Sequence, residues 1–246
     1  MSDLTPAFHA ARINLGQGKR DAGIRYARRA QQVVKYDARN RVLHHFRPSV
    51  IGRRGAPLNI LTMPGMDWRF ERALINDREH GKGKVRPRST FITAIESSHP
   101  VYVLGMRNMP GGAESLSTAV TCPAWARAAS KSYAISRYFL TTFEQLAEHE
   151  DRPPYDGAWI DLTGPITGPR LDAFEKLWRR IRGCLVVTSL NARWPVGIGE
   201  EIQRAGGLAE ILMERMDGAV ATENFVYRDT SPMSQITFRR LYGEAS

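Results

Sequence analysis

Asp161 closes an apolar run, Gly157-Ala158-Trp159-Ile160-Asp161, and Leu162-Thr163-Gly164-Pro165 follows it. A carboxylate at such a tip can orient an amine or hydroxyl nucleophile and take up its proton. Thr163 can add a hydrogen bond there, and Gly164 permits a ligand to come close to the backbone. The competing role for Asp161 is to cap the following turn. Glu96 closes a second apolar run, Phe91-Ile92-Thr93-Ala94-Ile95. Its carboxylate can accept two hydrogen bonds at once, or it can simply be solvated. A third run, Asn59-Ile60-Leu61-Thr62-Met63, stops at Pro64-Gly65. Gly65 allows close backbone approach, and a helix starting there would offer free N–H groups.

The charges form a separate signal. The chain carries 35 Lys+Arg against 25 Asp+Glu, a net charge of +10. Residues 1–57 hold 12 basic and 3 acidic residues, so +9 of that excess lies in the first quarter of the chain. Arg20, Arg25, Arg28, Arg29, Lys35, Arg39, Arg41, Arg47, Arg53 and Arg54 are interleaved with Tyr26, Tyr36, His44, His45 and Phe46. Basic groups neutralise phosphates and aromatic rings stack on unpaired bases, so a nucleic acid, RNA or DNA, is the expected partner. A solvated basic helix, or an acidic protein or anionic membrane as partner, are the competing readings.

Other patterns are excluded as chemistry. Cys122 and Cys184 cannot form a disulfide framework or a four-cysteine zinc site, so a reducing intracellular compartment such as the cytoplasm is expected. Cys184 opens an apolar run and reads as core. His44-His45 lacks cysteines at ligand spacing, and no metal is expected. No G-x-x-x-x-G-K-[ST] motif occurs. No window approaches a membrane span and no signal-peptide pattern opens the chain.

These residues need elements to hold them. Residues 21–36 read as a helix with a narrow apolar stripe, and 40–45 as a second short one. Pro48, Gly52, Gly55 and Pro57 mark a linker, so a basic helical extension (1–57) precedes an α/β domain (58–246). Within that domain strands alternate with helices. Strands are expected at 59–63, 91–95, 136–140, 157–161 and 184–188. Helices are expected at 68–76, 142–149 and 200–216, the last disturbed at Gly206-Gly207. Asp67 is the expected N-cap of the first of these. Leu171, Phe174, Leu177, Trp178 and Ile181 recur at helical spacing, with Gly183 as the stop. Val101 to Leu104 could begin another element, 108–118 reads as a loop and 125–131 as a helix. Two β-rich runs, 221–227 and 235–241, flank Asp229-Thr230-Ser231-Pro232 and read as an antiparallel hairpin. Alternation of this kind implies a mostly parallel sheet with helices on both faces.

From Asn59 to Tyr242 this order resembles the class I S-adenosylmethionine-dependent methyltransferases, chiefly through the terminal hairpin. The resemblance implies a Rossmann-like, mostly parallel seven-stranded sheet flanked by helices. It implies that Pro64 and Gly65, in the turn after the first strand, hold the cofactor's amino-acid portion, although the family's Gly-rich turn is reduced to Gly65. It implies that Glu96 holds the ribose hydroxyls, that Thr142 and Phe143 contact the adenine, and that Gly164 lies beside the cofactor; the competing role for Phe143 is a place in the core. Asp161 and Thr163 would face the methyl group and the acceptor. Asp151-Arg152-Pro153-Pro154-Tyr155 is similar to the signature of amino-group DNA methyltransferases, but it precedes the fourth strand instead of following it. The expected function is methylation of N or O on a nucleic acid with S-adenosylmethionine as cofactor. The alternative is an inactive methyltransferase-like nucleic-acid-binding or assembly protein.

Overall fold

The computed structural model describes residues 35–47, 58–64, 68–76, 90–108, 134–149, 154–162, 164–191, 194–195, 197–228 and 231–240. Residues 35–45 form helix α1. Seven strands follow: β1 (Leu58–Thr62), β2 (Thr90–Glu96), β3 (Ala134–Leu140), β4 (Tyr155–Asp161), β5 (Ile181–Leu190), β6 (Ala219–Arg228) and β7 (Pro232–Arg240). Between them run α2 (Arg69–Asn76), α3 (His99–Asn108), α4 (Phe143–Ala147), α5 (Gly168–Trp178), α6 (Ile198–Ala205) and α7 (Leu208–Arg215).

The strands make one sheet in the order β3-β2-β1-β4-β5-β7-β6. β1 to β5 are mutually parallel, and β7 runs antiparallel to both β5 and β6. The central strands are apolar on both sides because both faces are covered, as parallel sheets require. β4 is buried along its whole length except at Asp161.

Alternate residues feed two cores. Leu61, Ile95, Ala158, Ile160, Leu185, Val187, Ile236 and Phe238 meet the apolar sides of α4, α5 and α7, with Ile202 of α6. Leu58, Ile60, Ile92, Ala94, Trp159, Cys184 and Val186 meet Val42 of α1, Phe46 just after it, and Phe70 and Leu74 of α2. Tyr102 of α3 packs against the same group. The edge of the packed core therefore does not fall at residue 57, because Val42 and Phe46 lie inside it. Apolar positions spaced four apart in a basic segment are the cue: Ala38, Val42 and Phe46 are all buried.

Several boundaries differ from the sequence reading. The break expected between Tyr36 and Asn40 is absent, because 35–45 is one continuous helix. The fifth helix stops at Trp178, and Ile181 and Gly183 belong to β5. Ile181 sits at helical spacing from Trp178, but its strand pairing with Tyr155 decides its conformation. Val101 to Leu104 lie in a helix, α3. The expected 200–216 helix is two helices, broken where Gly206 and Gly207 take φ of 97° and 148°. Those angles suit glycine and end α6 with backbone bonds from both glycines to its last turn.

Trp68, expected as the first helical residue, precedes α2 with φ of 53°. That left-handed backbone is held by a fully buried ring, packed edge-on 4.8 Å from Tyr138. Its Nε1–H donates to the Gly105 carbonyl at 2.8 Å. Gly105 gives α3 this close approach: a β-carbon there would lie 2.5 Å from the Tyr138 hydroxyl. Gly105→Ala is accordingly expected to destabilise the fold by about 1–3 kcal/mol of overpacking, less the roughly 1 kcal/mol that Ala gains in helix propensity. Denaturant unfolding measures the balance, and a more stable variant would mean that Tyr138 repacks freely.

The expected loop at 108–118 begins on Asn108, which closes α3 instead; its remainder, the helix expected at 125–131, Asp67, Asp151 to Pro153, Cys122 and residues 21–34 lie outside the described residues. No helix among the described residues is long and apolar enough to cross a membrane.

Candidate functional site at the strand ends

Register places two carboxylates together. Thr62, the last residue of β1, pairs with Ala94 on one side and Trp159 on the other. Glu96 and Asp161 each lie two residues further along their strands, so both project from the face that carries Thr62, Ala94 and Trp159. They flank the point where β1 ends, two strand spacings apart, or about 10 Å. β1 is also where the strand order reverses, since its two neighbours are reached in opposite directions. Ligands of open α/β sheets bind in the crevice at such a point.

Thr62 lies between the two carboxylates, one row down. It is fully buried, and its hydroxyl oxygen has no hydrogen-bond partner among the described residues. Pro64, just beyond it, is buried. Gly65 and Thr163 lie outside the described residues. Glu96 is half-buried, and its Oε1 accepts the Ser98 N–H at 2.8 Å. A carboxylate has further lone pairs, so this local bond leaves acceptor capacity at the tip. Tyr138 stands on the same face, and burial first, then the Glu96 charge, hold its phenol well above the usual value.

Asp161 is half-buried and pairs in register with Thr188, which pairs with Gln235 of β7. Thr188 accepts the Trp159 indole N–H at 3.0 Å. The Gln235 side-chain amide donates to the Ala38 carbonyl of α1 at 3.2 Å. The row Asp161, Thr188, Gln235 thus runs from the strand tips to the underside of α1. The sequence reading missed Thr62, Thr188 and Gln235. Thr62 and Thr188 stand near the ends of β1 and β5, and Gln235 in the first half of the antiparallel β7, so their nearness is legible only once the register is known.

Two expected cofactor contacts have other work. Thr142 is the N-cap of α4: its hydroxyl accepts the Gln145 N–H at 3.1 Å and the Gln145 side chain bonds back, a capping box. Phe143 is 1% exposed and packs 4.7 Å from the Phe174 ring, so it offers no face to an adenine. The physical reason is its place on the inner side of α4, in one core with Leu146 and Ala147. Gly164 remains at the tip, braced by Arg170. The Arg170 guanidinium donates to the Pro165 carbonyl at 2.7 Å and to Glu144 at 3.0 Å.

The basic segment is only partly described, since Arg20, Arg25, Arg28, Arg29, Arg53 and Arg54 fall outside. Lys35 is exposed, and Arg39 and Arg47 are half-buried. Arg41 is engaged within the fold. It pairs with Glu223 of β6, lies 3.6 Å from Asp37 and sits 4.1 Å over the Phe225 ring. It thereby helps to fasten α1 to the sheet.

No cluster of potential metal ligands occurs among the described residues. His44 and His45 pack edge-on with ring centres 5.8 Å apart. Cys184 is fully buried, and burial pushes its thiol up to about 12. It is thus a core residue, as expected, and a thiol reagent should leave it unmodified in the folded protein.

No family model matches the sequence, and no curated protein matches it. Solved structures give weak overall likenesses. The N-methyltransferase NodS from Bradyrhizobium japonicum WM9 is 13% identical, with 84% of this chain and 96% of that one covered and a TM-score of 0.46. Magnesium protoporphyrin IX methyltransferase from Synechocystis PCC 6803, with S-adenosylhomocysteine bound, is 11% identical over 93% of this chain and 89% of that one, with a TM-score of 0.43. The 1,6-didemethyltoxoflavin-N1-methyltransferase of Burkholderia thailandensis is 9% identical over 90% and 86%, with a TM-score of 0.46. On its own strand order and pairing, this chain has a Rossmann-like α/β fold that ends in an antiparallel hairpin.

Proposed function

We propose that this protein is a methyltransferase that uses S-adenosylmethionine. The observation that carries this reading is the placement of Glu96 and Asp161 on one face, on either side of the end of β1. The buried, unmatched Thr62 hydroxyl between them favours a polar ligand at that point. Glu96 and the turn through Pro64 and Gly65 would hold the cofactor, Glu96 through its ribose hydroxyls. When bound, S-adenosylmethionine supplies an electrophilic methyl carbon on a sulfonium. Asp161 would accept a hydrogen bond from the acceptor's N–H or O–H, align its lone pair and take up the proton released. Thr163 and Gly164 border the same tip in sequence. Positioning is then the main contribution of the chain, with nucleophile and methyl carbon held about 3–3.5 Å apart.

We infer a nucleic acid as the acceptor from the +9 charge of residues 1–57. A second reading, an inactive nucleic-acid-binding protein, is favoured by the single glycine in Met63-Pro64-Gly65-Met66-Asp67.

Calorimetric titration with S-adenosylmethionine separates the two. Micromolar binding that weakens at least tenfold in Glu96→Ala is the expected result. No binding at millimolar cofactor by a folded protein would overturn the enzyme reading. Binding to a nucleic acid that fails to weaken with added salt would overturn the choice of acceptor.

A further inference from the structure

α1 is joined to the terminal hairpin by a compact polar cluster. His45 Nε2 lies 2.5 Å from Glu223 Oε2 on β6. His45 Nδ1 lies 3.3 Å from an Arg239 guanidinium nitrogen on β7. Arg41, one turn earlier on α1, takes the other Glu223 oxygen. An arginine has no acceptor, so Nδ1 can only accept from Arg239. The ring proton is therefore on Nε2, which donates it to Glu223. Both contacts are made together by the neutral tautomer alone.

We propose that His45 is a protonation latch: neutral, it holds α1 on the β6–β7 hairpin, and protonated, it loosens that joint. A proton on Nδ1 would point an N–H at a guanidinium that can only donate, and would set two like charges side by side. Every described element around the ring contributes a charge or a titratable group. Arg41 and His44 come from α1, with Asp37 beside Arg41. Glu223 comes from β6 and Arg239 from β7. From β5, the neutral Cys184 thiol sits in register with Arg239.

Burial is the largest influence holding His45 below its ordinary 6.5; Glu223 opposes it, and Arg239 and His44 reinforce it. The docked state therefore binds fewer protons than the undocked one. The contribution of His45 is complete above 6.5 and is lost as pH falls from there to the lowered value. Glu223 is also desolvated, but its bonds to His45 and Arg41 outweigh this and keep its carboxyl below 4.5. Its contribution is lost only in stronger acid, so the two windows separate.

The latch reaches the strand-end site through Ala38, which lies over Gln235 in the row of Asp161. That consequence rests on the proposed function, but the test below needs no cofactor, so the two readings fail separately.

The test is carried out on the full chain by NMR. The His45 ring resonances are followed from pH 8 to 5, and amide exchange of residues 38–46 is compared with that of β5. His45 should titrate below 6.5. Opening of α1, corrected for intrinsic exchange, should rise by up to about tenfold per pH unit as pH falls through the window, the limit for one proton. β5 should not change. His45→Gln can donate to Glu223 and accept from Arg239, so α1 protection should become independent of pH. Arg239→Met should raise the His45 midpoint, which gives an independent readout should the Gln variant fail to fold. A midpoint at or above 6.5, α1 protection that is flat or rises in acid, or an Arg239→Met midpoint that does not rise would each overturn the proposal.

Discussion

Phe46→Ala is expected to lower the unfolding free energy by about 3–5 kcal/mol, the range for deleting a fully buried aromatic ring. The ring is 0% exposed and stands edge-on to Phe70, with centroids 5.8 Å apart. It occupies the space left by the absent side chain of Gly157: a β-carbon there would lie 3.2 Å from the ring. Phe46 also closes the last turn after α1, through its N–H to the Val42 and Leu43 carbonyls. Removing it opens a cavity among Leu58, Ile60, Trp159 and Cys184, which strand pairing prevents from collapsing. Denaturant unfolding gives the value directly. A loss under about 1 kcal/mol, the effect of a surface change, would mean that α1 merely rests on the sheet.

Asp161→Asn is expected to slow methyl transfer by about 10²–10⁴-fold, the usual contribution of a positioned acid–base group. The amide keeps the size of the side chain but cannot take up a proton. Cofactor affinity should stay within a few-fold, because Glu96 and the turn after β1 are the proposed holders. Single-turnover transfer of a labelled methyl group gives the rate, and calorimetry gives the affinity. If affinity falls as far as the rate, Asp161 holds the cofactor and the nucleophile has another partner. Glu96→Ala is the mirror case, with the loss in binding instead of rate.

The strands were legible because their chemistry is local. Runs such as Trp159-Ile160 and Leu185-Val186-Val187 are apolar on both faces, and only a covered parallel strand tolerates that. The hairpin was legible from two β-rich runs around a Pro-containing turn. The ends of elements were less legible. Ile181 obeys the helical spacing of α5 yet pairs with Tyr155, since a strand partner brought from far along the chain outweighs a single position of local periodicity. The basic first quarter misled in one respect. Its charge is evident at once, whereas the buried spacing of Ala38, Val42 and Phe46 is hidden among arginines and histidines.

The same division holds for the site. Glu96 and Asp161 were legible as strand tips because each carboxylate closes an apolar run. Phe143 was ambiguous because a helix start places a side chain either toward the crevice or into the core, and packing against Phe174 settles it. The pairing of Arg41 with Glu223, 182 residues away, was not legible at all.

The sequence by itself determined the α/β class, the positions of the strands, the terminal hairpin and the two carboxylate tips. Each of these depends on residue type and spacing within one short segment. Tertiary structure alone decided that both carboxylates share a face beside the end of β1. It alone placed Thr62, Thr188 and Gln235 in neighbouring rows and made His45, Glu223 and Arg239 one cluster. Those facts depend on register between distant strands, where a shift of one residue turns every side chain to the other face.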